Sequence, residues 1–183
     1  MPIPYMGSKR AIANMIYKII NQREKKSTFI DLFCGGFAVG EVFLKNGWDV
    51  IANDKNKYIW SLESLQRLQS LGSLQSLGSL QIYTKNYKDI EIIKDAVVYC
   101  DPHYLNTATY NEANFNHAEF YDWVRNISKT NSVYISEYQA PADFKPIMVF
   151  NKRSLLCGAK TNQVQPSEKL FIHEDLFKKH IKV

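Results

Sequence analysis

Thr28-Phe29-Ile30-Asp31-Leu32-Phe33-Cys34-Gly35-Gly36 decides the fold. Its apolar opening, with β-branched Thr28 and Ile30, reads as a strand, and the glycine pair breaks that strand into a tight turn. Apolar residues then recur at helical spacing through Ala38, Val39, Val42, Phe43 and Leu44, and Asn46-Gly47 supplies a C-terminal stop. Strand, glycine turn and helix make the first half of a mononucleotide-binding unit. There the backbone comes close to a ligand and helix N–H groups are left over to meet it. The G-x-G-x-x-G dinucleotide pattern is absent. Asp31, placed before the turn, suits a ligand with a positive or hydrogen-donating part better than a pyrophosphate. A tight turn with no ligand would use the same residues.

The next strand, Trp48-Asp49-Val50-Ile51-Ala52, closes on Asn53-Asp54. Asp54 follows Asp31 by 23 residues, close to the ~20 expected of an acid that binds ribose hydroxyls. An acid that caps the following helix is the alternative. A third apolar run, Ala96-Val97-Val98-Tyr99-Cys100, stops abruptly at Asp101-Pro102-His103-Tyr104. This corner offers a charge, carbonyls held by a ring of fixed φ, and a flat π-face. Together they can hold a planar ring that carries an amine. Carboxyl ends of parallel strands share one rim, so Asp31, Asp54 and Asp101 should face one crevice.

Elsewhere, Gly7-Ser8-Lys9-Arg10 precedes a helical pattern of Ile12, Met15, Ile16, Ile19 and Ile20, with Ser8 as N-cap and Lys9 placed to meet a carboxylate. From Leu62 to Leu80 leucine recurs at every third position, a period that drifts around a helix and makes no steady face. Within it Ser70-Leu71-Gly72-Ser73-Leu74-Gln75 is repeated as Ser76-Leu77-Gly78-Ser79-Leu80-Gln81. The stretch 61–81 is expected to be a length-variable insertion, with a helix ending near Leu71 and the duplicated part a tandem-repeat loop or a short solenoid-like stack, and with Ile82-Tyr83 leading into a loop. A helix is expected over His117 to Ile127 and a strand over Ser132 to Ser136. Pro146 to Val149 and Leu170-Phe171-Ile172 should form a terminal antiparallel pair. Polar, aromatic residues from Leu105 to Phe115 and the basic loop after Asn151 are the candidate nucleic-acid contacts, Tyr110, Asn111, Lys152 and Arg153 among them.

A net charge of +5 favours a polyanionic partner. Cys34, Cys100 and Cys157 lack metal-ligand or disulfide spacing and read as buried thiols of a reducing compartment. The histidines show no ligand spacing either, so no metal is expected. Met1-Pro2-Ile3-Pro4-Tyr5 lacks the apolar stretch of a leader, and no apolar run nears the ~18 residues of a membrane span, so a cytoplasmic protein is expected. The 183 residues fit a single α/β domain, 1–183. Its architecture should be a Rossmann-like, mostly parallel sheet with a terminal antiparallel strand, flanked by helices.

Four motifs in order carry a family resemblance: Pro4-Tyr5-Met6-Gly7-Ser8-Lys9, Asp31-Leu32-Phe33-Cys34-Gly35-Gly36, Asn53-Asp54 and Asp101-Pro102-His103-Tyr104. In these the chain resembles the Dam-type, S-adenosylmethionine-dependent adenine-specific DNA methyltransferases. The resemblance implies that Tyr5, Gly7 and Lys9 meet the methionine end of S-adenosylmethionine. It implies a cofactor cradle of Asp31, Phe33 and Gly35, with Asp54 on the ribose and Asp101 alongside. Asp101 and the Pro102 carbonyl would take hydrogen bonds from the adenine amine, and Tyr104 would stack on an adenine flipped out of double-stranded DNA. Transfer would be a direct in-line displacement with no covalent enzyme intermediate, so positioning and electrostatics carry it. A cognate restriction endonuclease is the partner such a family brings to mind.

The chain departs from the family at two points. His103 stands where the family has a second proline, which loosens the carbonyl-presenting turn. Misplacement by ~1 Å can cost about 100-fold in rate. The target-recognition segment is also reduced, to about 56–95, much of it leucine repeat. Two rival readings follow: a non-catalytic relative that binds only cofactor or DNA, and an amine methyltransferase acting on RNA or on a protein side chain.

Overall fold

The protein was analysed as a computed structural model, which describes residues 9–55, 78–102, 115–150 and 167–181. Seven strands form one sheet: β1 (Thr28–Asp31), β2 (Asp49–Asn53), β3 (Leu80–Tyr83), β4 (Val97–Cys100), β5 (Ser132–Glu137), β6 (Phe144–Phe150) and β7 (Glu168–His173). Their order is β3-β2-β1-β4-β5-β7-β6. The first five run parallel, and β7 enters antiparallel to both β5 and β6. The expected mostly parallel sheet with a terminal antiparallel pair is therefore the architecture observed. Among the described residues four helices flank it: α1 (Ala13–Asn21), α2 (Ala38–Lys45), α3 (His117–Ile127) and α4 (Glu174–Ile181).

Both faces of the sheet are covered, which is why its central strands read as unbroken apolar runs. Alternate side chains along each strand serve opposite cores. Phe29, Val97, Tyr99 and Tyr134 pack with α1, α2 and α4 on one face, whereas Ile30, Val98, Cys100, Val133 and Ile135 pack with α3 on the other. On the first face the rings of Phe29 and Phe43 stack at 3.6 Å between centroids, with Trp48 set edge-on to both. That cluster fixes α2 against β1 and thereby sets the turn between them. On the second face α3 buries Phe120 and Val124 completely and has Ile127 packed at the core edge, as its spacing predicts.

Three local features differ from expectation. Ser8, the candidate N-cap of the first helix, lies outside the described residues. A 3₁₀ turn, Lys9–Ala11, precedes α1, which starts at Ala13 without a side-chain cap, and Met15 is exposed rather than inward. Leu80–Tyr83, expected to be the end of the insertion and the lead-in to a loop, is the parallel edge strand β3. At its entry a Cβ on Gly78 would overlap the Trp48 carbonyl, so only glycine fits there without displacement. Among the described residues no helix is long and apolar enough to cross a membrane.

Candidate active site at the carboxyl rim

Asp31 ends β1, and the chain then makes its glycine turn with Gly35 at φ 48° and Phe37 at φ 58°, both left-handed. The Gly40 N–H, in the first turn of α2, donates to Asp31 Oδ2 at 3.1 Å. A carboxylate nine residues upstream thus does the work of an N-cap side chain. Asp31 Oδ1, fully buried, has no hydrogen-bond partner among the described residues. Burial pushes this carboxyl up to about 8. Asp101 and Asp54 add repulsion, and the Gly40 N–H and Lys9 only partly offset it.

Asp54, half-buried just beyond β2, accepts the Gly35 N–H at 3.0 Å and so ties the second strand end to the glycine turn. Beside it, the Asn53 amide donates to the carbonyls of Leu32 and Lys85 and accepts the Lys85 N–H, locking the ends of β1, β2 and β3 together. Phe33 turns toward the α3 face, within 6.0 Å of the rings of Tyr87, Phe115 and Phe120. Gly35 is buried in the turn and Gly36 is exposed.

Asp101 and Pro102 leave β4 at the centre of the same rim, and Pro102 is buried. Lys9 Nζ lies 2.8 Å from Asp101 Oδ1 and 3.3 Å from Glu168 Oε1. Burial works against the charge on Lys9, yet Asp101 and Glu168 outweigh it, and the ammonium is held above the ordinary lysine range. Lys9, a candidate to meet a ligand carboxylate, pairs here with two carboxylates of its own chain among the described residues. Glu137, buried at the end of β5, accepts the Tyr138 N–H. Burial, with Glu168, Glu137 and Asp101 nearby, pushes the Tyr138 phenol up. Below them the Tyr99 hydroxyl and Ser136 share a 2.7 Å hydrogen bond.

The rim therefore gathers Lys9, Asp31, Gly35, Asp54, Asp101 and Pro102, as the motifs predict, and adds Glu168, Glu137 and Gly40, which they do not. Glu168-Lys169-Leu170-Phe171 bears a weaker likeness to the family, but nothing local pairs Glu168 with Lys9, which it meets across nearly the whole chain. Acids outnumber the one lysine among these groups, so the crevice is suited to a ligand that brings positive charge or N–H donors. Cys34 and Cys100 are buried and free, and burial pushes both thiols up, so neither is a nucleophile at neutral pH. Tyr5, Gly7, His103, Tyr104, Tyr110, Asn111, Lys152 and Arg153 lie outside the described residues, as does Cys157.

Against known proteins, residues 5–69 match the family model of the D12 class N6 adenine-specific DNA methyltransferases. That is the family the motifs resemble. The fold is one that solved methyltransferases share. Among solved structures, one similar chain is yhhF of Escherichia coli, described as a methyltransferase, at 13% identity and TM-score 0.55, covering 94% of this chain and 90% of that one. Another is SMU.1697c of Streptococcus mutans, crystallised with SAH, at 16% identity and TM-score 0.52, covering 87% and 94%. A third is an rRNA methylase of Streptococcus thermophilus, at 15% identity and TM-score 0.52, covering 87% and 94%. At such identities the likeness is one of fold. No curated protein matches the chain.

Proposed function

We propose that the chain transfers a methyl group from S-adenosylmethionine to the exocyclic amine of a flipped adenine in double-stranded DNA, in the cytoplasm. The observation that carries the reading is the acid rim. Asp31, Asp54 and Asp101 close adjacent parallel strands around a glycine turn, and Asp31 Oδ1 is buried with no partner among the described residues. An orphaned carboxylate oxygen in a negative crevice fits a ligand that carries an ammonium and a sulfonium. When bound, the cofactor would supply an activated methyl group on positively charged sulfur.

The protein's own residues would then bind and orient. Asp31 and the glycine turn hold the cationic portion, with Tyr5, Gly7, Phe33 and Gly35 completing the cradle and Asp54 meeting the ribose. Asp101 and the Pro102 carbonyl take hydrogen bonds from the adenine amine and hold its lone pair toward the methyl, while Tyr104 stacks on the base. Tyr110, Asn111, Lys152 and Arg153 contact the DNA. Support for adenine in DNA comes from the D12 family match over residues 5–69. Since only part of the chain carries that match, and the Streptococcus thermophilus neighbour is an rRNA methylase, an amine of RNA is the second reading.

Labelled methyl transfer from S-adenosylmethionine to DNA, RNA and protein separates the readings. Label in DNA as N6-methyladenine is expected. Folded protein that binds the cofactor but labels only RNA, or nothing, refutes the DNA assignment. Nothing labelled would mark a relative that only binds.

A further inference from the structure

β7 is the antiparallel member of an otherwise parallel group of central strands, and Glu168 is its first residue. Reversal brings this strand's amino end to the rim where the parallel strands have their carboxyl ends. In register, Lys169 lies opposite Glu137 at the end of β5. Glu168 is 2% exposed. A carboxylate so buried costs several kcal/mol unless a partner compensates it. Among the described residues the cation beside it is Lys9, whose Nζ lies 3.3 Å from Oε1. The same ammonium lies 2.8 Å from Asp101.

We infer that Glu168 is a positioning residue for the Asp101–Pro102 corner, acting through Lys9; the inference rests on the methyl-transfer reading above. A lysine ammonium on its four-carbon stem is a mobile point charge. Held by one carboxylate, it can follow that carboxylate as it moves. Held from two sides, by residues of β7 and of the β4 end, it becomes a fixed post against which Asp101 is set. Glu168 also shares the positive charge. With Glu168 neutral, more of it bears on Asp101, which then accepts a hydrogen bond from an amine less well. Glu168 touches neither base nor methyl in this scheme, so its effect should appear in turnover rather than in cofactor binding.

Glu168→Gln keeps the shape and removes the charge. The expected result is a kcat about ten-fold lower at saturating cofactor and DNA, short of the ~100-fold that a 1 Å misplacement costs. The dissociation constant for S-adenosylhomocysteine should change less than about two-fold. Independently of activity, the ¹⁵N resonance of the Lys9 ammonium in lysine-labelled protein should move toward those of solvent-exposed lysines. Unchanged kcat with an unmoved Lys9 resonance overturns the inference, and so does a cofactor affinity that falls in step with kcat. If the wild-type protein labels no DNA, the functional reading has failed, and the Lys9 resonance alone decides whether Glu168 holds the lysine. Should Glu168→Gln not fold, Glu168→Asp keeps the charge but withdraws it from Nζ, and the same changes are expected at smaller size.

Discussion

Replacing Asp31 by Asn should make the protein's stability respond to pH in a different way. In the native state the carboxyl is pushed up to about 8 from an ordinary value of 3.8. Between those values the folded chain keeps a proton that the unfolded chain has lost, so stability falls as pH rises, by about 1.4 kcal/mol per unit. Across roughly four units the loss reaches about 6 kcal/mol by pH 8. Water entering the crevice around the ionised group reduces this, so it is an upper bound. Even half of it is large against the ~5–15 kcal/mol of a typical domain. Asparagine keeps an oxygen for the Gly40 N–H and carries no charge, so Asp31→Asn should lack this slope. Urea unfolding of both proteins at pH 5, 6.5, 8 and 9 measures it. The variant should overtake the wild type as pH rises, all other groups being common to both. Two parallel curves would show that Asp31 ionises as freely in the folded protein as in the unfolded one, and the account of the rim would fail.

Further expectations follow from single residues. A cation bound at Asp31 displaces its proton, so S-adenosylmethionine affinity should rise up to about ten-fold per unit as pH approaches 8 and level off above it, as isothermal titration across that range can test. Gly78→Ala drives a methyl group into the Trp48 carbonyl, and chemical denaturation should show a loss of about 3 kcal/mol or more from displacing β3. Phe43→Ala empties the stacked cluster with Phe29 and Trp48 and should cost about 3–5 kcal/mol in the same experiment. His103→Pro restores the stiff carbonyl-presenting turn of the family and should raise turnover. A fall instead would give the histidine a role of its own.

The central strands and the rim could be read because they depend on short-range pattern. Apolar runs that stop at Asp31, Asn53-Asp54 and Asp101-Pro102 declare strand ends locally, and the parallel arrangement then brings those ends together. β3 was hidden for a physical reason. As an edge strand it exposes Gln81 and Ile82 and half-buries Leu80 and Tyr83, so it lacks a clean alternation, and it begins on the last leucine of a period-three run. The start of α1 was misplaced because Ser8 is a good capping residue by type, whereas the helix is entered from a 3₁₀ turn. Nor could the Lys9–Glu168 pair be anticipated, since it arises only when an antiparallel strand returns to the rim. The sequence pattern marks Asp31 as a candidate ligand acid, whereas its hold on the first turn of α2 through Gly40 emerges only with the helix in place.

The way β3 is fastened bears on how the gene encoding this chain can change. The strand is entered through Gly78, whose N–H meets the Leu44 carbonyl, and Ser79, whose N–H and hydroxyl both donate to Asp49. Those fastening residues lie in the second of two identical six-residue units. Loss of one unit by replication slippage would place Gly72-Ser73-Leu74-Gln75 directly before Ile82, and gain of one would again end in Gly-Ser-Leu-Gln. The anchor reads the same after either event. Copy number in the tract can therefore drift in whole units while the edge of the sheet sees an unaltered sequence.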